Sequence, residues 1–409
     1  MQNTANAAGA DAPVPVDTAP MIEDLYPALA ALREAGPVHR IAGTDGRPAW
    51  LVTRYEDVRR LFADPRLALD KRHAAPGSFS GFSLPPALDA NLLNMDPPDH
   101  TRVRRLVVKA FTPGRVERMR GPVRRIADEL LDAIESDGRA DLLAAYAGQL
   151  PIIVICDLLG VPQGDRRDFR AWSDALITPD PARPGAAKEA VGSMLRFYTG
   201  LIAKKRAEPG DDLLSDLIRV RDDETGDGDD GLTEDELTSL AFLILLAGYE
   251  NTVHLIANSV LTLLDHPATL QELREDPSGL PAAFDELARY EGPAPLAIRR
   301  FPLEDIEIGG VTVPAGETVL LSVASAHRDP AHFQDPDAFN PHLGRSGHLA
   351  LGHGIHYCLG APLARMETET ALAALLQRFP GLRLDVPREE LRWRPSIRAR
   401  GLISLPVAW

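Results

Sequence analysis

The chain has 409 residues, of which 44% are hydrophobic and 25% charged, with a formal net charge of −15. That length leaves room for a large core, and the ordinary composition excludes a disordered or fibrous protein. The acidic balance argues against a nucleic-acid binder, and no run of about 20 apolar residues reads as a membrane span.

Residues 1–20 are rich in Ala, Asn, Pro and Thr. They lack the basic start and apolar block of a signal peptide and read as a disordered arm, leaving 21–409 as one domain. Strand-like runs follow at 38–41 with 49–52, at 306–313 with 318–322, and at the C-terminal end; helical patterns fill most of the rest. Between His100 and Arg125 lie nine basic residues, Arg102, Arg104, Arg105, Lys109, Arg115, Arg118, Arg120, Arg124 and Arg125, opposed only by Glu117. Such a patch on an acidic protein suits an acidic partner. Cys156 sits in the apolar stretch 150–160 and reads as a small core hydrophobe. With Cys358 as the only other cysteine, a disulfide framework is excluded and a reducing cytoplasm fits. No Cys-x-x-Cys or His-Glu-x-x-His pattern points to zinc. The acidic stretch 222–231 has the composition of a calcium loop without its spacing and reads as a solvated turn.

The best-defined helix starts at Thr233, where Thr233 and Glu236 form a capping box. It runs to about Asp265, ahead of His266 and Pro267, roughly 32 residues or about 48 Å. At its centre, Ala247, Gly248 and Asn251 share one face. Small residues there leave room for a flat group and a small ligand, and polar ones need partners. Glu286 and Arg289, three apart on a helix begun by Pro281, are spaced to pair.

Cys358 lies in a loop with Gly352, Gly354 and Gly360, directly ahead of a helix-forming run from Pro362 to Arg378. The glycines let the backbone approach a flat ligand. The amides and dipole of the following helix start favour a thiolate, which suits an iron ligand. The order Gly-x-Gly-x-His-x-Cys-Leu-Gly-Ala-x-Leu-Ala-Arg-x-Glu, from Gly352 to Glu367, resembles the haem-ligand loop of bacterial cytochrome P450 monooxygenases.

The resemblance extends from about Leu25 to Trp409. It implies a mainly α fold with small β-sheets (α+β), with haem b between the long distal helix and the loop whose Cys358 ligates the iron. The family usually has Phe at the position of Leu351, so the reduction potential of the iron is the quantity in question. The centre of the long helix resembles the family's oxygen groove, with Glu250 as the acid, Asn251 where Thr is usual, and Thr252 one place late. These three are the implied catalytic residues. His100, Arg104, Arg300 and His356 match donors to the haem propionates, with His348 a further candidate; Ala247, Gly248 and Gly360 complete the cofactor set. Glu286 and Arg289 match a structural pair, whose usual third member, an Arg, is here Leu343, with His342 or Arg345 to stand in. Segments 74–94, 168–197, 294–298 and 396–399 match the substrate-lining regions. Leu243, Ala247, Asn251, Ala294, Leu296, Ala297, Ile397 and Arg398 form the expected pocket, where a cation at Arg398 would favour an anionic or oxygen-rich substrate.

The function implied is a cytoplasmic, monomeric haem-thiolate monooxygenase with no membrane or nucleic-acid partner. It would insert one atom of O2 into a secondary metabolite such as a polyketide, macrolide, terpene or peptide. No flavin- or nicotinamide-binding pattern occurs, so electrons are expected from a separate ferredoxin (2Fe-2S or 3Fe-4S) and its NAD(P)H-dependent reductase. It would dock near Arg104, Lys109 and the Cys358 loop. The rival readings are a peroxide-driven enzyme, which would usually carry Arg-Pro at the acid–alcohol pair; a non-catalytic haem binder; and, within the family, oxidative coupling or epoxidation.

Overall fold

The computed structural model describes residues 18–43, 46–79, 84–177, 183, 185–223, 231–343 and 347–409. Helices dominate where apolar residues recur at helical spacing: in Tyr55–Phe62 the buried residues are Tyr55, Val58, Leu61 and Phe62. The longest helix, Glu234–Asp265, has 32 residues and begins at the expected capping box. Thr233 Oγ1 accepts from Glu236 N at 3.1 Å, and Thr233 N donates to Glu236 Oε2 at 2.9 Å. Three acids in its first turn complement the helix dipole. Residues 236–242 and 252–263 of this helix are buried without interruption, so every face there is covered by protein. Contrary to the sequence expectation, its mean hydropathy of 1.5 over an 18-residue window makes it apolar enough to cross a membrane; the buried runs show it instead as an interior helix.

Helix Ala361–Arg378 packs along Pro113–Glu135 and against the central helix. Leu150–Leu159 crosses the central helix at Gly248, where an added Cβ would lie 2.7 Å from Ile155 Cδ1. Cys156, on the same helix, is 1% exposed within the main core, as expected.

Val38–Ala42 pairs antiparallel with Pro48–Val52, which pairs parallel with Val319–Leu321. The run 306–313 does not partner 318–322. It folds on itself, Ile306–Ile308 against Val311–Val313, because Gly309 and Gly310, at φ 57° and 85°, supply the left-handed turn that a tight hairpin needs. At the C-terminus, Pro406–Ala408 lies between Arg139–Asp141 and Arg383–Leu384. A second core cluster beneath the first sheet joins Trp50, Val52, Leu61, Val319 and Phe333. Ala19 and Pro20, assigned to the arm, belong to helix Ala19–Glu23; residues 1–17, most of 222–231, and Arg345 lie outside the described residues.

Candidate functional site

The Cys358 loop is held by its own backbone. Gly352 and Gly354 adopt φ 77° and 75°, and a Cβ at Gly354 would meet Ala63 Cα and Phe62 O at 3.2 Å. Only glycine fits both the conformation and the close approach. Cys358 N donates to Leu351 O at 2.8 Å. Burial pushes the Cys358 thiol above its ordinary value, opposed by the Gly360 N–H, the Arg104 charge and the Ala361 N–H. Gly360 is the N-cap of helix Ala361–Arg378, so the amides of the helix start do aim at the sulfur. They do not offset its desolvation; a metal ion on the sulfur would, since a coordinating thiol is deprotonated outright. Leu351 packs with Leu255, Phe284 and Ala288.

Beside this loop four cationic or imidazole side chains converge. His100, on helix Asp99–Ala110, is 1% exposed, and neither ring nitrogen has a hydrogen-bond partner. Its ring centroid is 4.1 Å from that of His356. Arg300 is 3% exposed, with Nε unpartnered. Arg104 donates to Tyr357 O at 2.6 Å. Burial, reinforced by Arg104, holds His100 down to about 4, and burial lowers Arg300 to about 10. His356 is held to about 3 by burial and by His100, Arg300 and Arg104. The one carboxylate nearby, Asp96, is already taken up by the backbone N–H groups of Leu69 and Asp70. Arg104 and His356 are half-buried and each has a backbone partner, but the unpartnered nitrogens of His100 and Arg300 in a cluster without a free carboxylate fit an anionic group such as a pair of carboxylates. His348 is elsewhere, 3.0 Å from Asp285 Oδ1.

The central helix opens only in its middle. Between its two buried runs, Leu243 and Gly248 are half-buried and Ala247 and Asn251 exposed. Leu243, Ala247 and Asn251 are four apart and share one face, so they form an accessible strip. Gly248 serves a different end from the one expected, since its missing side chain admits Ile155. Thr252 is buried and its hydroxyl donates to Gly248 O at 2.9 Å. Burial raises Glu250, while Arg394 and Arg398 pull it down. One turn on, His254 lies with Nε2 3.9 Å from Glu250 Oε1. Burial and Arg394 hold its ring to about 4, so it is neutral near pH 7 and the contact is no ion pair. His254 was not foreseen, although its spacing of four from Glu250 was visible in the sequence. Of the expected pocket, Ala294 and Ala297 are half-buried and Arg398 exposed. Leu296 and Ile397 are packed in one core cluster with Leu25 and Leu51.

Glu286 and Arg289 form a buried bidentate pair at 2.7 and 2.8 Å. Of the residues expected to complete it, His342 does not, bonding Glu272 at 3.0 Å, and Arg345 lies outside the described residues; backbone carbonyls of His327, Pro336 and Ala338 take the remaining donors of Arg289. The basic run is not one solvated patch either. Arg102 pairs with Glu236, Arg115 with Asp216, Arg120 with Glu117 and Arg124 with Asp128. Arg105, Lys109, Arg118 and Arg125 are exposed.

Residues 279–396 match the family model described as Cytochrome P450. Over 388 residues the chain is 46% identical to cytochrome P450 monooxygenase PikC of Streptomyces venezuelae, covering 94% of this chain and 91% of that one. It is 43% identical over 392 residues to 6-deoxyerythronolide B hydroxylase of Saccharopolyspora erythraea, covering 94% and 96%. The structure of the ligand-free P450 monooxygenase TamI matches with a TM-score of 0.87 at 44% identity, covering 97% of this chain and 94% of that one. With this likeness running through nearly the whole chain, the protein belongs to the cytochrome P450 family, oxidoreductases that hold a haem iron on a cysteine thiolate.

Proposed function

We propose that this P450 inserts one oxygen atom of O2 into a small secondary metabolite of the polyketide or macrolide kind, with Cys358 as the residue that would hold the haem iron. The observation that carries the site assignment is the pair of buried, incompletely satisfied side chains His100 and Arg300, joined beside the Cys358 loop by half-buried Arg104 and His356, none of them with a carboxylate partner among the described residues. The substrate class draws on relatives such as 6-deoxyerythronolide B hydroxylase.

In this reading Cys358 would hold the iron, and His100, Arg104, Arg300 and His356 would hold the two propionates. The accessible strip of Leu243, Ala247 and Asn251 forms the wall where O2 and substrate meet. The haem, when bound, supplies oxygen activation, which thiolate ligation directs toward O–O cleavage. The protein's own part is binding and proton control. The Glu250 carboxyl, raised by burial, holds a proton more readily than an exposed acid and passes it toward the strip. The Asn251 amide both donates and accepts there but cannot relay a proton as a hydroxyl does, so ordered water or a polar group of the substrate completes the path. Thr252 spends its hydroxyl hydrogen on Gly248 O, which makes it a brace of the helix. Electrons come from a ferredoxin and its NAD(P)H-dependent reductase, docked over exposed Arg105 and Lys109 beside Arg104. The protein works as a monomer in the cytoplasm.

The test is the reduced carbon-monoxide spectrum. The native protein and Cys156→Ser should show the red-shifted Soret band of a thiolate-ligated haem, and Cys358→Ser should lack it. A band that survives Cys358→Ser refutes the assignment.

A further inference from the structure

Residues 347–352, which lead into the Cys358 loop, lie in no helix or strand. Their backbone groups therefore need partners from elsewhere, and ring side chains supply them. Tyr55 Oη donates to Gly347 O at 2.6 Å. His327 Nε2 accepts from Leu349 N at 2.8 Å, and His348 Nδ1 accepts from Ala350 N at 3.3 Å. Burial pushes His327 well below its ordinary value, so its ring stays neutral and able to accept. One residue past Ala350, Leu351 O takes Cys358 N at 2.8 Å. Where that carbonyl sits is thus set by the two amides just before it, each held on an imidazole.

His348 is itself held in place. A ring nitrogen that accepts carries no proton, so the proton of His348 is on Nε2, which donates to Asp285 Oδ1 at 3.0 Å. Asp285 lies on helix Leu280–Tyr290 and is also paired with Arg365, on the helix Ala361–Arg378 that follows Cys358. Arg365 is fixed in turn: Nη1 donates to Pro281 O at 3.0 Å, and its guanidinium lies 4.3 Å from the Phe284 ring centroid. Through one carboxylate, then, one imidazole ties the segment before Cys358 to the helix after it. The side chains of Asp285 and Arg365 are 40% and 34% exposed, and an ion pair so exposed adds little to global stability. What the arrangement does hold is local, the register between Ala350 N and the Leu351 carbonyl.

We propose that His348 is a positioning residue for Cys358: its ring, oriented by Asp285 and Arg365, fixes Ala350 N and through it the Leu351 carbonyl that anchors the cysteine. This rests on the reading of Cys358 as the iron ligand and deepens it. His348 acts on the orientation of the sulfur rather than on the stability of the fold, and it does so from the Asp285 side, away from the cluster assigned to the propionates.

The test reads thiolate ligation and folding separately. The haem-loaded native protein, His348→Leu, His348→Gln and His348→Asn are taken through one urea series. The reduced carbon-monoxide spectrum gives the ratio of non-thiolate to thiolate haem, and far-UV circular dichroism gives the helix content. Before the helices melt, His348→Leu should raise that ratio about tenfold over the native protein, the equivalent of about 1.4 kcal/mol. Its circular-dichroism curve should follow the native one. An Asn side-chain oxygen can accept from the backbone N–H two residues on, so His348→Asn should recover most of the native ratio. His348→Gln, a methylene longer, should not. An unchanged ratio in His348→Leu, a parallel loss of thiolate band and helix content, or Asn no better than Gln each overturns the proposal. Where His348→Leu yields no folded protein, the contrast between Asn and Gln decides. A normal native band that is indifferent to His348 sinks only the positioning role, whereas an absent band in the native protein counts against Cys358 itself.

Discussion

Replacing Arg289 by Lys should destabilise the protein by about 4 kcal/mol, and the figure can be worked from its contacts. A guanidinium has five N–H donors. Here all five are used: Nε and one Nη2 hydrogen on Glu286 at 2.7 and 2.8 Å, Nη1 on His327 O and Pro336 O at 2.8 Å each, and Nη2 again on Ala338 O at 3.1 Å. Lys keeps the charge but offers three donors, so at least two of these bonds are lost at about 1–3 kcal/mol each. Outright loss of one partner from a buried pair costs about 3–5 kcal/mol, the figure expected for Arg289→Met, where the charge goes as well. Unfolding entropy near 2.1 cal/mol/K per residue over 409 residues converts about 4 kcal/mol into a fall in Tm of roughly 5 °C. Circular dichroism during heating of the haem-loaded proteins measures it. The double variant Glu286→Leu with Arg289→Met should be less destabilised than Arg289→Met alone, because no buried charge is then orphaned. A Tm within about 1 °C of native for Arg289→Lys, or a double variant worse than the single, refutes the reasoning.

Asn251→Thr should raise product formed per NADPH consumed for substrate analogues that lack a polar group near the oxidised carbon; equal coupling in both proteins for substrate and analogue makes Asn251 a packing residue. Lys109→Glu should slow ferredoxin-dependent reduction several-fold and weaken its salt dependence without changing substrate affinity, since exposed charges are screened over about 8 Å at physiological salt; a rate indifferent to both places docking elsewhere. His254 carries a pH prediction. Its folded value of about 4 lies below the ordinary 6.5, so the unfolded chain takes up the proton first, and stability present above pH 6.5 is lost as pH falls toward 4. Near pH 5.5 the loss is about 1.4 kcal/mol, and His254→Asn should remove it from the acid limb of a urea-unfolding series; an unchanged limb denies the buried neutral ring.

The site was legible wherever a short motif fixes its own geometry. The Gly352-to-Glu367 loop, the capping box at Thr233 and the Glu286–Arg289 spacing all act within a few residues, so sequence spacing and spatial spacing coincide. What the sequence did not disclose depends on partners far along the chain. Nothing local says that Gly248 is small for Ile155, that Arg102 belongs to Glu236, or that 318–322 joins the N-terminal sheet while 306–313 closes on itself. His342 was sought as a partner of the Glu286–Arg289 pair and bonds Glu272 instead, while backbone carbonyls from residues 327–338 take the remaining donors of Arg289.

The two kinds of buried cation in this protein differ in a way that bears on function. Arg289 is 1% exposed and its five donors meet five acceptors from the chain, so nothing further is needed to satisfy it. Arg300 and His100 are as deeply buried, at 3% and 1%, yet Arg300 Nε and both His100 ring nitrogens find no hydrogen-bond partner. A folded chain that can satisfy five donors on one arginine has no general difficulty in placing acceptors. Leaving three polar atoms orphaned in one cluster beside the Cys358 loop costs on the order of 1–3 kcal/mol each, a sum that selection retains only where a non-protein group supplies the partners. The same contrast applies to shape. Its exposed ends aside, the central helix is covered on every face over residues 236–242 and 252–263 and uncovered only between them, at the strip that carries Asn251. In the proposed reading, the unsatisfied polar groups on one side and the uncovered strip on the other would bound the same haem, one by charge and the other by shape.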